Sequence, residues 1–187
     1  MTEEHGSSPS AISKGRLEFL YDGIFAIAMT ILVLELKVPE LTDHHSISEL
    51  GHALAHHAPT FGSYLLSFLM LGIFWSRHNH DYRHFHRITN VMLVMTLVQL
   101  ATAAFFPFCA ALLGRYPQNR LTFVVYVGCV LVLMWSRLAT WVVAKRSGAI
   151  AADFPLDDYL RTRNRILRGC LVLLGIFGLA LFRVFES

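Results

Sequence analysis

The chain has 187 residues, of which 55% are hydrophobic and 16% charged, and its mean hydropathy is +0.49. Soluble domains carry about 25% charged residues, so this composition excludes an ordinary soluble globule and a disordered chain. The net charge of +3 is small and dispersed along the chain, which argues against a nucleic-acid-binding protein. The cysteines form no CxxC pair and are expected to be small core or lipid-facing residues: Cys109, Cys129 and Cys170.

Long runs without charged residues predict membrane-spanning helices, because about 20 helical residues cross the hydrocarbon core. In chain order, five predicted spans are Arg16 to about Lys37, Ala58–Ser76, Ile88–Gly114, Leu121–Ala144 and Gly169–Phe182. The last span is short, and flanking residues extend it by snorkelling. We therefore expect an all-α, polytopic membrane helical bundle, with residues 1–15 as a cytoplasmic N-terminal tail and residues 16–187 as the transmembrane domain.

The distribution of Lys and Arg predicts the orientation of these spans. With the N-terminus inside, the inner segments hold eleven of the 16 Lys and Arg residues, and Arg137 lies within the fourth span. The outer segments hold four of them, namely Lys37, Arg115, Arg120 and Arg183. The sequence thus predicts a multi-pass protein of the cell membrane with a cytoplasmic N-terminus and an external C-terminus.

Two connections between spans have patterns of their own. Residues 48–57 (SELGHALAHH) predict an external amphipathic helix at the membrane surface. Residues 145–165 are polar and contain Pro155, so we expect an internal loop there.

Histidines recur at helical spacing, as His52/His56 and His80/His84, but no carboxylate completes an HExxH pattern. We therefore expect solvated loop histidines and no metal site, with His78 and His86 also in the inner connection. Because histidine titrates near pH 6.5, an effect of pH on the protein's activity is compatible with this pattern.

The first span carries charged residues, which are costly inside a membrane and usually face protein or water. Arg16 and Asp22 are six residues apart and lie on different faces of one helix, so each either meets another helix or anchors the span at the headgroup level. Ile27, Ile31 and Leu34 form one stripe by their spacing. From the residues alone, this stripe is a packing seam, a lipid face or a pore lining.

The first span reads RLEFLYDGIFAIAMTILVLE from Arg16 to Glu35. It resembles the signature of the transmembrane protein 175 family of potassium channels, which carries RxxxFSDG, then FAIA and a TLLxLE tail. The chain departs from that signature at Leu20 and Tyr21, where the family has Phe and Ser, and conservatively at Ile31. The likeness continues through the Trp and His that end the second span, through Asn90 and through Pro107, and covers roughly residues 16–116.

This resemblance implies a potassium-selective channel that assembles as a homotetramer, with membrane lipid and its own copies as partners and with the first helices around a central pore. It implies a constriction on the first helix, formed by Ile27, Ile31 and Leu34 with Thr30 beside it. It also implies an architectural network that holds the first helix in place, formed by Arg16, Asp22, Gly23, Trp75 and His78. Potassium is the permeant ion, and neither a cofactor nor a metal is expected. Family repeats have six helices, whereas the sequence here predicts five.

The alternative is a secondary or proton-coupled transporter that uses Asp22, Glu35 and Arg137 as coupled charges. Such carriers have helices broken at mid-membrane, whereas the first span has an unbroken helical pattern from Ile24 to Leu36. An enzyme is not expected, because no catalytic cluster is visible. Arg137 needs a partner within the membrane, and Gln99 and Asn90 are candidates.

Overall fold

The computed structural model describes residues 13–185 and shows helices joined by short connections. The helices are α1 (Lys14–Ile31), α2 (Ile47–His56), α3 (Ala58–Tyr82), α4 (Asn90–Arg115), α5 (Arg120–Arg146) and α6 (Leu156–Phe185). All except α2 are long and apolar enough to cross a membrane, which confirms the prediction of an all-α bundle with five spans. The predicted N-terminal tail of residues 1–15 lies almost entirely outside the described residues.

Side-chain caps fix where several helices begin. The side chain of Thr89 accepts a hydrogen bond from the Met92 amide at the start of α4, and that of Asn119 accepts one from Leu121 at the start of α5. Such caps satisfy backbone donors that have no partner within the helix. At the far end of α5 the chain turns through Gly148, whose φ of 63° favours glycine.

Helix α4 lies at the centre of the protomer and packs against α1, α3 and α5, whereas α6 packs against α5. Small residues allow close approach in two places. A Cβ atom at Gly114 would lie 3.0 Å from the Thr60 backbone, and one at Gly169 would lie 2.6 Å from the Met134 side chain. The helices therefore pack through specific small residues as well as through apolar side chains.

The polar ends of two spans are longer than the sequence predicts. Helix α3 continues past Ser76 to Tyr82, and α6 begins at Leu156 rather than at Gly169. The predicted loop over residues 145–165 is therefore too long, because only residues 147–155 connect α5 and α6. Charged residues end a hydropathic run without ending a helix, and the added turns of α6 bury Tyr159 and Ile166 on one face.

The predicted amphipathic segment forms the short helix α2, which confirms that a helix occurs there. Its first turn is capped from both directions: Ser46 accepts a hydrogen bond from the Glu49 amide, and the Glu49 carboxylate accepts bonds from the Thr42 and Asp43 amides. These two backbone donors lower the pKa of Glu49.

Candidate functional site

One face of α1 is left uncovered in the protomer. Its opposite face packs into the core through residues spaced at helical intervals, among them Tyr21, Phe25 and Leu32. The predicted stripe points away from this core: Ile27 is 59% exposed, Ile31 42% and Leu34 71%. A continuous run of apolar side chains thus lacks a partner among residues 13–185.

The helix changes geometry within this stripe. The α-helix ends at Ile31 and tightens into a 3₁₀ turn over Leu32–Glu35. The hydroxyl of Thr30 donates to the carbonyl oxygens of Ala26 and Ile27, at 3.0 and 2.9 Å. Its hydroxyl proton is therefore held by α1 itself, while the side chain remains on the exposed face.

On the N-terminal side of the stripe, α1 and α4 border an open cavity of about 650 Å³, which is lined by residues that include Phe19, Gly23 and Leu97. Gly23 has no atom within 4 Å of a Cβ built on it, so close approach at this glycine does not occur within the protomer. Arg16 also lines this cavity. Its side chain makes no hydrogen bond or ion pair with any residue in the described range, so the protomer does not join it to the rest of the predicted network.

Asp22 and Trp75, two residues of the predicted network, are joined by a hydrogen bond. The Trp75 indole Nε1 donates to Asp22 Oδ1 at 2.7 Å, which ties α1 to α3 across 53 residues of sequence. The Asp22 carboxylate lies on the exposed side of α1, and Trp75 is 39% exposed. This charge-assisted bond fixes the rotation of α1 against α3.

Replacing Trp75 with phenylalanine keeps an aromatic ring and removes only the donor. Because the acceptor is charged but accessible, we expect a loss of about 1 kcal/mol in the free energy of unfolding, measured as a lower Tm in detergent. Trp135→Phe is the matched control, since Trp135 is 42% exposed and its indole has no hydrogen-bond partner in the described part of the chain. Equal effects of the two substitutions would show that the bond to Asp22 contributes nothing.

A column of stacked rings lies directly behind this bond. The ring of Tyr21 stacks on Phe25 and on His78, with centroids 4.4 and 3.4 Å apart, and His78 stacks in turn on Tyr82 at 3.9 Å. The Tyr21 hydroxyl donates to Gln99 Oε1 at 3.3 Å on α4. His78 is 5% exposed, so its predicted position in a solvated loop is wrong: it lies on α3, within the protein interior.

Arg137 has a partner that the sequence did not suggest. Its guanidinium donates twice to Asp81, with Nε–Oδ2 at 2.6 Å and Nη2–Oδ1 at 3.0 Å. The side chains are 16% and 3% exposed, so the pair is buried between α5 and α3. The predicted partners Gln99 and Asn90 are wrong. Asp81 reaches Arg137 because α3 continues beyond the apolar run.

Two further histidines, His80 and His84, lie at and just after the C-terminal end of α3. The rings of His80 and His84 are 5.1 Å apart, and His84 packs on Phe154 at 4.5 Å. No group of three or more His, Cys, Asp or Glu side chains suited to a metal occurs in the part of the chain that the structure describes. Burial, and then repulsion from His80, lowers the pKa of His84.

This pKa shift predicts a loss of stability in mild acid. The folded state disfavours the protonated form of His84; Arg83 adds to this effect, and the carboxylates of Asp81 and Asp153 oppose it. Neutral His84 therefore contributes stability above the ordinary histidine pKa of 6.5, and this stability is lost as the pH falls below that value. We expect His84→Gln to reduce the fall in Tm between pH 7.5 and 5.5. The exposed His52 on α2 provides the control, and an equally reduced slope in His52→Gln would contradict the assignment to His84.

Sequence reasoning thus identified the stripe and placed Asp22 and Trp75 in one network, but it missed the side chains that support them. Tyr21 occupies a position where the chain departs from the family signature, and it proves to be central to the ring column. His78, Asp81 and Tyr82 have the i, i+3, i+4 spacing of one helix face. That spacing was the available signal, and the change from apolar to polar residues after Ser76 concealed it.

Comparison with known proteins identifies close likeness over the same region. A family model described as "Endosomal/lysosomal potassium channel TMEM175" matches residues 16–107. A protein from Chamaesiphon minutus, named a potassium channel, is 32% identical over 96% of this chain and 90% of its own length. Another from Streptomyces collinus, also named a potassium channel, is 35% identical over 54% of this chain, which spans about half (48%) of that relative's length.

The fold is also shared with a solved structure. The crystal structure of a lysosomal potassium-selective channel TMEM175 homolog from Chamaesiphon minutus superposes with a TM-score of 0.77 and 27% sequence identity. The superposition covers 92% of this chain and 89% of the other, so it includes α5 and α6 as well as the region that the family model matches.

Proposed function

Since this chain belongs to the TMEM175 family, described as endosomal/lysosomal potassium channels, we propose that it conducts potassium passively through a pore shared by several copies. The first helices surround this pore in a homotetramer embedded in the cell membrane, with the N-terminus in the cytoplasm. The family is one of ion channels, which confirms the prediction that the chain is not an enzyme.

The observation that carries this proposal is the uncovered stripe on α1. Ile27, Ile31 and Leu34 are exposed although they lie on a helix whose other face is fully packed. One helix cannot enclose a water path, whereas symmetric copies of it can. In a ring of copies, each of the three positions supplies one layer of a narrow apolar neck.

Such a neck selects ions by the cost of dehydration. Apolar rings offer no oxygen cage to replace hydration water, and they wet poorly. Potassium sheds its water more readily than sodium and therefore crosses with a smaller penalty, so the selectivity is modest compared with a carbonyl filter. Thr30 lies beside the neck, and because its proton is held by α1, its oxygen lone pairs are left to face a passing cation.

The network behind the stripe sets the width of this neck. The bond between Trp75 and Asp22 and the stack of Tyr21 on His78 hold α1 against α3. Gly23 and Arg16 face the open cavity beside α4, where an adjacent protomer packs in the assembly. Their contribution to the network is therefore made between copies.

The transporter alternative is not supported. Both relatives described above are named channels. Of the three charges that the alternative requires, Arg137 is held in its ion pair with Asp81, and Asp22 accepts from Trp75. Helix α1 has no break at mid-membrane: it tightens into a 3₁₀ turn only at its far end.

The test is ion flux through the purified protein in liposomes, after its mass in detergent has been measured. We expect an assembly of four times the 21.1 kDa chain mass. Potassium-loaded vesicles should discharge faster than sodium-loaded ones and faster than empty controls. A tetramer without flux above the empty vesicles would reject the channel, and a stable monomer would reject the shared pore.

A further inference from the structure

A second open groove lies between α5 and α6, at the membrane surface where α5 begins and α6 ends. Its volume is about 450 Å³. Arg120 and Arg183 lie at its polar end, beside Gln118 and Asn119 of the connection before α5, and its apolar wall includes Phe123, Ile176 and Leu179. The groove therefore combines concentrated positive charge with an apolar wall.

The two guanidinium groups have few acceptors in the part of the chain that the structure describes. Nη1 of Arg120 donates to the backbone carbonyl of Arg183 at 2.6 Å, which holds the two residues side by side. Neither side chain has a carboxylate within ion-pair distance among residues 13–185. Since a guanidinium carries five N–H donors, most of these donors have no acceptor among residues 13–185.

The apolar wall extends from this charge into the membrane. Leu179 and Ile176 precede Arg183 by four and seven residues, so they lie about 6 and 10 Å deeper along α6. Phe123 lies one turn inside α5 on the facing wall. At this depth the surrounding solvent is hydrocarbon, and an unfilled apolar groove would forfeit dispersion contacts on both walls.

We propose that this groove binds one anionic phospholipid. Its phosphate accepts from Arg120 and Arg183 at the headgroup level, and one acyl chain lies along Phe123, Ile176 and Leu179. Charge selects the headgroup, because guanidinium groups form strong, often paired hydrogen bonds with phosphate oxygens. The length of the apolar wall distinguishes a lipid from a free anion, which would use only the arginine end. The site is separate from the pore stripe, so it stands or falls independently of the proposed conduction.

The test is native mass spectrometry of the purified, delipidated protein titrated with phosphatidylglycerol or phosphatidylcholine of the same acyl chains. We expect one phosphatidylglycerol to be retained per protomer in preference to phosphatidylcholine. The double variant Arg120→Gln, Arg183→Gln should weaken phosphatidylglycerol binding about tenfold. Arg115→Gln is the control, because Arg115 is an exposed arginine near the same membrane surface and outside the groove. Equal weakening by the control would overturn the proposal.

A second variant tests the apolar wall without altering charge. Leu179→Trp fills the groove and should also reduce phosphatidylglycerol retention, whereas unchanged retention would contradict a bound acyl chain. Inorganic phosphate alone should raise the Tm of the delipidated protein less than phosphatidylglycerol does. Equal stabilisation by phosphate would identify an anion site and overturn the lipid assignment.

Discussion

Replacing Asp81 with asparagine is expected to destabilise the protein more than the other single substitutions considered for it. The change leaves the buried Arg137 guanidinium without its carboxylate, and loss of one partner from a buried ion pair costs about 3–5 kcal/mol. For a chain of this size, this corresponds to a fall in Tm of about 10 °C. Thermal unfolding of the detergent-solubilised protein measures it directly.

Two further variants show how much of this stability loss comes from leaving a charge buried and unpaired. Asp158→Asn removes an exposed ion pair with Arg161, at 3.6 Å, and should cost less than about 1 kcal/mol. The double variant Asp81→Leu, Arg137→Met removes both buried charges and should recover most of the lost stability. If Asp81→Asn were as mild as Asp158→Asn, the buried pair would not hold α3 to α5.

Replacing Ile31 with asparagine is expected to change permeation rather than folding. Ile31 is 42% exposed in the protomer, so a polar side chain there leaves the packed face of α1 intact. In the proposed pore every copy then contributes one amide to a single layer of the neck, which favours wetting and lowers the dehydration cost for sodium. A lower barrier of about 1.4 kcal/mol would raise sodium flux about tenfold and reduce the preference for potassium.

The matched control for this substitution is Ile73→Asn on α3. Ile73 is 54% exposed, so the chemical change and the degree of exposure are similar, while its helix lies outside the proposed pore. Potassium and sodium flux are measured in liposomes for both variants, after each has been shown to keep the mass of the wild-type assembly. An unchanged potassium preference in Ile31→Asn would remove Ile31 from the constriction.

The sequence by itself determined the class of the protein, its spans and the unusual character of the first helix. Hydropathy is a local property, because each residue in a lipid-exposed helix meets the hydrocarbon independently of distant residues. Helical spacing places Ile27, Ile31 and Leu34 on one face of the first helix in the same way, whereas their exposure is known only from the structure. The signature from Arg16 to Glu35 is also local, and the comparisons confirm the family to which it points.

Only the tertiary structure decided which side chains meet. Arg137 and Asp81 are 56 residues apart, and no spacing rule connects residues on different helices. The same holds for Tyr21, which stacks on His78 of α3 and bonds to Gln99 of α4. The sequence also did not predict the C-terminal end of α3 or the N-terminal end of α6. Hydropathy indicates where the lipid ends, whereas a helix continues for as long as its backbone is hydrogen-bonded and one face remains buried.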